Sequence, residues 1–175
     1  MPDDARTRTS TDATGRLAAK TALFTLLLPG AVTVGLPACI LDRTGRLRLP
    51  EGSVLQLPAL LLIGLAVGMY VSCAAAFVSA GRGTPAPIDP PRRLVVQGLY
   101  RRTRNPMYLA VLALLAGEAL LFASVALLAY AAIVFAAFHL FVVIYEEPTL
   151  RRTFGEAYER YCRAVPRWLG RTTLI

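Results

Sequence analysis

Apolar residues along this chain fall into long unbroken runs, with the polar residues gathered between them. Thr21 to Leu41, Val54 to Ala80 and Met107 to Tyr145 are almost wholly hydrophobic. A helix needs about 20 apolar residues to cross a hydrocarbon core, so each of the first two runs predicts one span. The third run covers 39 residues, too many for one crossing, and predicts two spans that turn around Ala123 and Ser124. The expected fold is all-α: a polytopic membrane protein with about four transmembrane helices, near 21–41, 54–80, 107–122 and 125–145. Residues 1–16 lack any apolar period and read as a disordered tail, leaving 17–175 as a single domain.

Pro29 and Pro37 should kink the first span, whereas Pro58 lies near the start of the second, where proline is best tolerated. A signal peptide is the rival reading of the first segment, because "LPAC" at 36–39 faintly resembles a lipoprotein cleavage site, although Pro37 fits that pattern badly. Gly64 and Gly68, four apart, permit close helix packing. Beyond the last run, Leu150, Phe154, Tyr158, Tyr161 and Val165 recur at steps of three or four, with charged residues on the other faces. This pattern predicts one amphipathic helix lying across the ends of the spans.

Composition agrees with a membrane protein: 55% of the 175 residues are hydrophobic, and the mean hydropathy is +0.53. The net charge of +8 would also suit a nucleic-acid binder, but the arginines lie between apolar runs, which favours an anionic bilayer surface over nucleic acid. With the N terminus cytoplasmic, the tail, the 81–106 loop and the C-terminal segment hold 16 of the 19 basic residues, as the positive-inside rule prefers. Both termini are then cytoplasmic. Arginine outnumbers lysine 18 to 1, which with the abundant Ala and Leu suggests a bacterial inner membrane as the location. Cys39, Cys73 and Cys162 have no paired spacing, so neither a disulfide framework nor a metal site is expected.

Two polar clusters flank the third run. "RRTRNPMY" sets Arg104, Asn105, Pro106 and Tyr108 at the start of a span, where Asn105 suits a cap and Pro106 the first helical position. Glu146 and Glu147 close the last span just before Pro148, which should bend the chain at Glu147 and aim one or both carboxylates beneath the loop. His139, seven residues before Glu146, falls on about the same helix face. By themselves the two acids read as a solvated helix end and His139 as an inter-helix hydrogen bond. The alternative is a site in which Arg104 or a ligand compensates the adjacent carboxylates.

The order and spacing of these pieces resemble the membrane methyltransferases that include isoprenylcysteine carboxyl methyltransferase and the phospholipid N-methyltransferases. The resemblance rests on Gly98 and Tyr100, then Arg104, Asn105, Pro106 and Tyr108, then Glu146, Glu147 and Leu150, and finally Phe154, Gly155, Tyr158, Tyr161, Val165 and Pro166. It spans roughly residues 81–168. It implies S-adenosylmethionine bound between the last two spans, their preceding loop and the C-terminal helix, and a lipid or amphiphilic acceptor entering from the bilayer. Glu146 and Glu147 would take the cofactor's amino group or ribose, and Arg104 its carboxylate. Asn105 and Tyr108 would supply neutral hydrogen bonds, with Gln97, Gly98, Tyr100 and Pro106 in the same wall. "GRGTPAP" looks like the family's Gly-x-Gly element and puts Gly81 and Gly83 at the cofactor.

Gln97 and Asn105 stand where the isoprenylcysteine enzymes have His, which separates this chain from that acceptor. A lipid amine would require a base, Glu147 or His139, whereas a carboxylate acceptor would require none. Membrane sterol reductases, which use NADPH and share an Arg-His-Pro-x-Tyr element, are the alternative enzyme class, and a non-catalytic membrane scaffold is the third reading.

Overall fold

The computed structural model describes residues 29–77, 79 and 94–170. The 1–16 tail, the first eight residues of the 21–41 run, and Gly81 and Gly83 lie outside the described residues. Among those described, the chain is all-helical, with no strand. In chain order α1 is Leu36–Arg43, α2 Gln56–Ala76, α3 Pro106–Leu121, α4 Val125–Phe141, α5 Glu147–Phe154 and α6 Glu156–Ala164.

Among the described residues two helices are long and apolar enough to cross a membrane: α2, with a mean hydropathy of 2.1, and the continuous helix Val125–Phe154, with 2.5. The third apolar helix, α3, has 16 residues, short of the usual 17–25. The outward faces of α2 and α4 carry exposed Leu61, Leu65, Val71, Leu128 and Ile133, as a surface meeting lipid requires.

Helices α3 and α4 form the predicted hairpin. The turn is sharp because Ala123 takes a left-handed φ of 47°, and Ser124 caps α4 by accepting from the Leu127 amide at 3.3 Å. Arg46 fastens the turn from outside, donating from Nη1 to the Ala123 carbonyl at 2.7 Å. The arms, 16 and 17 residues, match within one residue, so whatever follows Phe141 rises beyond the Pro106 end of α3. That length relation brings the Glu146–Glu147 region level with Arg104.

Helix α2 packs most extensively on α3, and runs antiparallel to it: Ala59 and Ile63 lie against Gly117, while Cys73 clusters with Tyr100 and Met107. The close approach is at Gly117, where a Cβ would sit 2.6 Å from Ile63 Cγ1. Gly64 and Gly68 have nothing within 4 Å of a would-be Cβ and face outward, so no Gly-xxx-Gly contact forms among the described residues. The small residues used instead are Ala59, Ala66, Ala110 and Gly117, which let the two backbones come together.

Both interior prolines are met by a wide turn. A π-helical turn at Ala31–Gly35 precedes Pro37, and another at Val142–Glu146 precedes Pro148. The helix does not break at Glu147: Glu146 and Glu147 keep right-handed helical angles, and the Glu147 amide bonds to Val142 five residues back. Widening the turn moves the preceding carbonyls away from the proline ring, so the helix continues where a regular ladder would clash. The 30 residues of α4, the π turn and α5 reach roughly 45 Å at 1.5 Å per residue, against ~30 Å of hydrocarbon. The excess is at the charged α5 end.

The amphipathic C-terminal segment is two helices, not one. Gly155 adopts φ 52°, a conformation L side chains rarely take, and folds α6 back from α5. The predicted apolar positions still meet: Tyr158, Tyr161 and Val165 are buried, with Leu150 and Phe154 packed against them and Leu94 joining from the loop.

Candidate functional site

At the open end of the hairpin the chain before α3 is locked by the segment after α6. The Arg104 amide donates to the Pro166 carbonyl at 2.9 Å. Thr103 Oγ1 and Asn105 Nδ2 both donate to the Arg167 carbonyl, at 3.2 and 3.0 Å. Asn105 therefore holds the cap position without capping α3 through its side chain, because its amide is bonded to the strap at 166–168. Pro106 is buried at the first helical position, as expected. Tyr161 adds a further tie, donating its hydroxyl to the Tyr100 carbonyl at 2.7 Å.

The two adjacent carboxylates have different surroundings. Glu147 is buried, 2% exposed, and is held by three guanidinium groups. Arg167 grips both oxygens, Nε to Oε1 at 2.6 Å and Nη2 to Oε2 at 3.0 Å; Arg104 Nη1 reaches Oε1 at 2.9 Å; Arg151 Nη2 reaches Oε2 at 3.4 Å. The Glu147 hydrogen bond in turn raises the Arg167 pKa. Glu146 faces another way. Its Oε2 accepts from the Tyr108 hydroxyl at 2.8 Å, and its other oxygen has no hydrogen-bond partner among the described residues.

Glu146 lines a cavity of about 470 Å³ between Pro29 and Val32 ahead of α1, the turn at Tyr100, and helices α2, α3 and α4. One end is polar, with Arg104, Asn105, Tyr108 and Glu146; the rest is apolar, walled by Val32, Met107, Val111, Phe138 and Phe141. Tyr108 stacks at a tilt on Phe138, with centroids 4.6 Å apart, and Phe77 meets Tyr100 edge-on at 5.7 Å. Arg104, one of the lining residues, has an unusual atom: its Nε is buried and has no hydrogen-bond partner among the described residues. Native structures satisfy almost all such donors, so an orphan on a residue that lines a cavity invites an acceptor. Burial pushes the phenols of Tyr100, Tyr158 and Tyr161 up, so these groups act as neutral hydrogen-bonding side chains.

Of the residues singled out by the sequence, the cavity collects Tyr100, Arg104, Asn105, Tyr108 and Glu146. Glu147 stands behind them as an ion-paired anion and does not line it. Gln97 and Gly98 are exposed at the start of the turn Gly98–Arg101, where Gly98 takes φ 58°. His139 does not share the face of Glu146. The intervening π turn advances less per residue than an α turn and breaks the seven-residue alignment. His139 Nδ1 instead accepts from Trp168 Nε1 at 3.1 Å. Arg167 and Trp168 were absent from the expected set; the two arginines flanking Val165-Pro166 in a segment otherwise read for its apolar stripe were the available signal.

Residues 55–157 match the family model described as phospholipid methyltransferase, which covers more than half of the chain. No curated protein and no solved structure matches it.

Proposed function

Since the chain belongs to the phospholipid methyltransferase family, a family of membrane methyltransferases, we propose that it transfers a methyl group from S-adenosylmethionine to a lipid or lipid-like acceptor at the membrane face. The observation that carries this reading is that one apolar cavity is lined at its polar end by both Arg104, whose buried Nε has no hydrogen-bond partner among the described residues, and Glu146, whose carboxylate has one oxygen bonded to Tyr108. A cation and an anion lining the same cavity suit the carboxylate and ammonium of an amino-acid moiety. The cavity volume lies within the ~300–1,000 Å³ of small-molecule sites. The family assignment does not favour the reductase reading.

S-adenosylmethionine would supply an activated methyl on a sulfonium. Arg104 and Glu146 would hold its amino-acid end, and Tyr100, Tyr108 and Phe138 would form apolar walls that exclude water. Such orientation is where an enzyme of this type gains rate, because methyl transfer is an in-line displacement whose reacting atoms must be aligned. A dry wall helps further, since positive charge disperses as the reaction proceeds. The reading takes 17–175 as one unit with its cofactor region at 81–168 and, by the arginine count, puts the site on the cytoplasmic side.

Calorimetric titration of detergent-purified protein with S-adenosylhomocysteine tests this, with NADPH as control ligand. Saturable binding of S-adenosylhomocysteine, weakened in Glu146→Gln and Tyr108→Phe, is the expected result. Binding of NADPH alone, or of neither ligand to well-folded protein, would sink it.

A further inference from the structure

Three cations around one buried carboxylate is more than charge balance requires. Arg104, Arg151 and Arg167 surround Glu147, although Arg104 alone could satisfy both oxygens by presenting its planar fork. It does not: Arg104 gives Glu147 a single bond from Nη1, the same nitrogen also lies 2.9 Å from Cys162 Sγ, and the buried Nε has no hydrogen-bond partner among the described residues. The bidentate grip belongs to Arg167.

We infer that Arg167 is a positioning residue: by neutralising Glu147 it leaves Arg104, which lines the cavity and gives that carboxylate a single bond, with donors available to a ligand carboxylate. This rests on the cofactor reading above. Without Arg167, Glu147 Oε2 would keep only the 3.4 Å contact from Arg151, whose side chain is 43% exposed. Arg104, 12% exposed, is the remaining close counter-ion and would rotate to bond both oxygens, withdrawing those donors from a ligand. The strap itself would stay. Its ties to Arg104, Thr103 and Asn105 use the backbone carbonyls of Pro166 and Arg167, which do not depend on the Arg167 side chain.

The effect is specific to a carboxylate, which separates it from general loosening. The test compares binding of S-adenosylhomocysteine with its decarboxylated analogue, which keeps the amine and nucleoside, in wild type, Arg167→Met and the double variant Arg167→Met/Glu147→Gln. Wild type should prefer the carboxylate-bearing ligand by roughly tenfold or more, as expected for a hydrogen bond to a charged group. Arg167→Met should lose most of that preference while binding the analogue as wild type does. The double variant, in which no anion competes for Arg104, should recover it, and melting of both variants in detergent separates a lost preference from a lost fold. A preference that survives in Arg167→Met, equal losses for both ligands, or a double variant without recovery overturns this inference alone. A wild type that binds neither ligand overturns the cofactor reading and this inference together.

Discussion

Two carboxylates on the α3–α4 hairpin and its extension have opposite surroundings. Beyond the open end, Glu147 is covered and bonded by three arginines. Near the closed end, Glu118 in the last turn of α3 has a buried Oε2 with no hydrogen-bond partner among the described residues. Tyr130, close enough to feel its charge, donates instead to the Val32 carbonyl at 2.9 Å. The open end is held by ionic bonds and leaves one carboxylate, Glu146, facing a cavity. The closed end is held by small-residue packing and a capped turn. Charge at a membrane boundary is costly unless compensated, so its concentration at one end marks where the chain has something to bind.

The largest break in that contrast comes from Glu147→Ala. It strands three guanidinium groups, two of them largely covered, and should destabilise by about 3–5 kcal/mol, read as a marked drop in melting temperature in detergent. Melting like wild type would mean that the arginines are satisfied without Glu147. At the closed end, Gly117→Val should cost about 1–3 kcal/mol by overpacking against Ile63 and the Ala59 carbonyl. Gly64→Ala, mid-helix with open space around it, should instead stabilise by about 0.4–1 kcal/mol in the same melt.

Glu146→Gln should leave melting nearly unchanged and weaken S-adenosylhomocysteine about tenfold, or about 1.4 kcal/mol. A large melting shift with intact binding would reverse the roles given to the two adjacent acids. The smallest effect belongs to Glu118→Gln: stability equal to wild type or up to about 1 kcal/mol higher, with ligand binding untouched. A binding defect there would extend the site to the closed end of the hairpin.

What the sequence made legible is what run length and turn chemistry control. The turn at Ala123-Ser124, the start of α3 at Pro106, and the meeting of Arg104 with the acidic pair all follow from two arms of equal length. Where a single extra residue changes the phase of a helix, run length carries no signal. The π turn at Val142–Glu146 is composed of ordinary apolar residues, so regular 3.6-residue spacing put His139 beneath Glu146 and made Pro148 a break. Gly155 was visible as a glycine, yet its left-handed corner was hidden by an apolar stripe that continues on both sides of it. Asn105 occupies the expected position, but its amide goes to a carbonyl 62 residues away, a partner no local pattern can announce. Gly64 and Gly68 show the reverse error, a local pattern without a partner.

The π turn also makes its own stretch tolerant of a change in length. A five-residue turn is about one residue longer than an α turn, so removing one residue from 142–145 would close a regular helix with its ladder intact. Because the extra residue is taken up inside the wide turn, the side chains on either side of that deletion would keep nearly their present phase, with Phe138 and Phe141 still toward the cavity that Glu146 lines. The same deletion in the regular part of α4 would turn every side chain before it by roughly 100° relative to Glu146 and Glu147. Along this helix, where a residue is lost matters more than which residue it is.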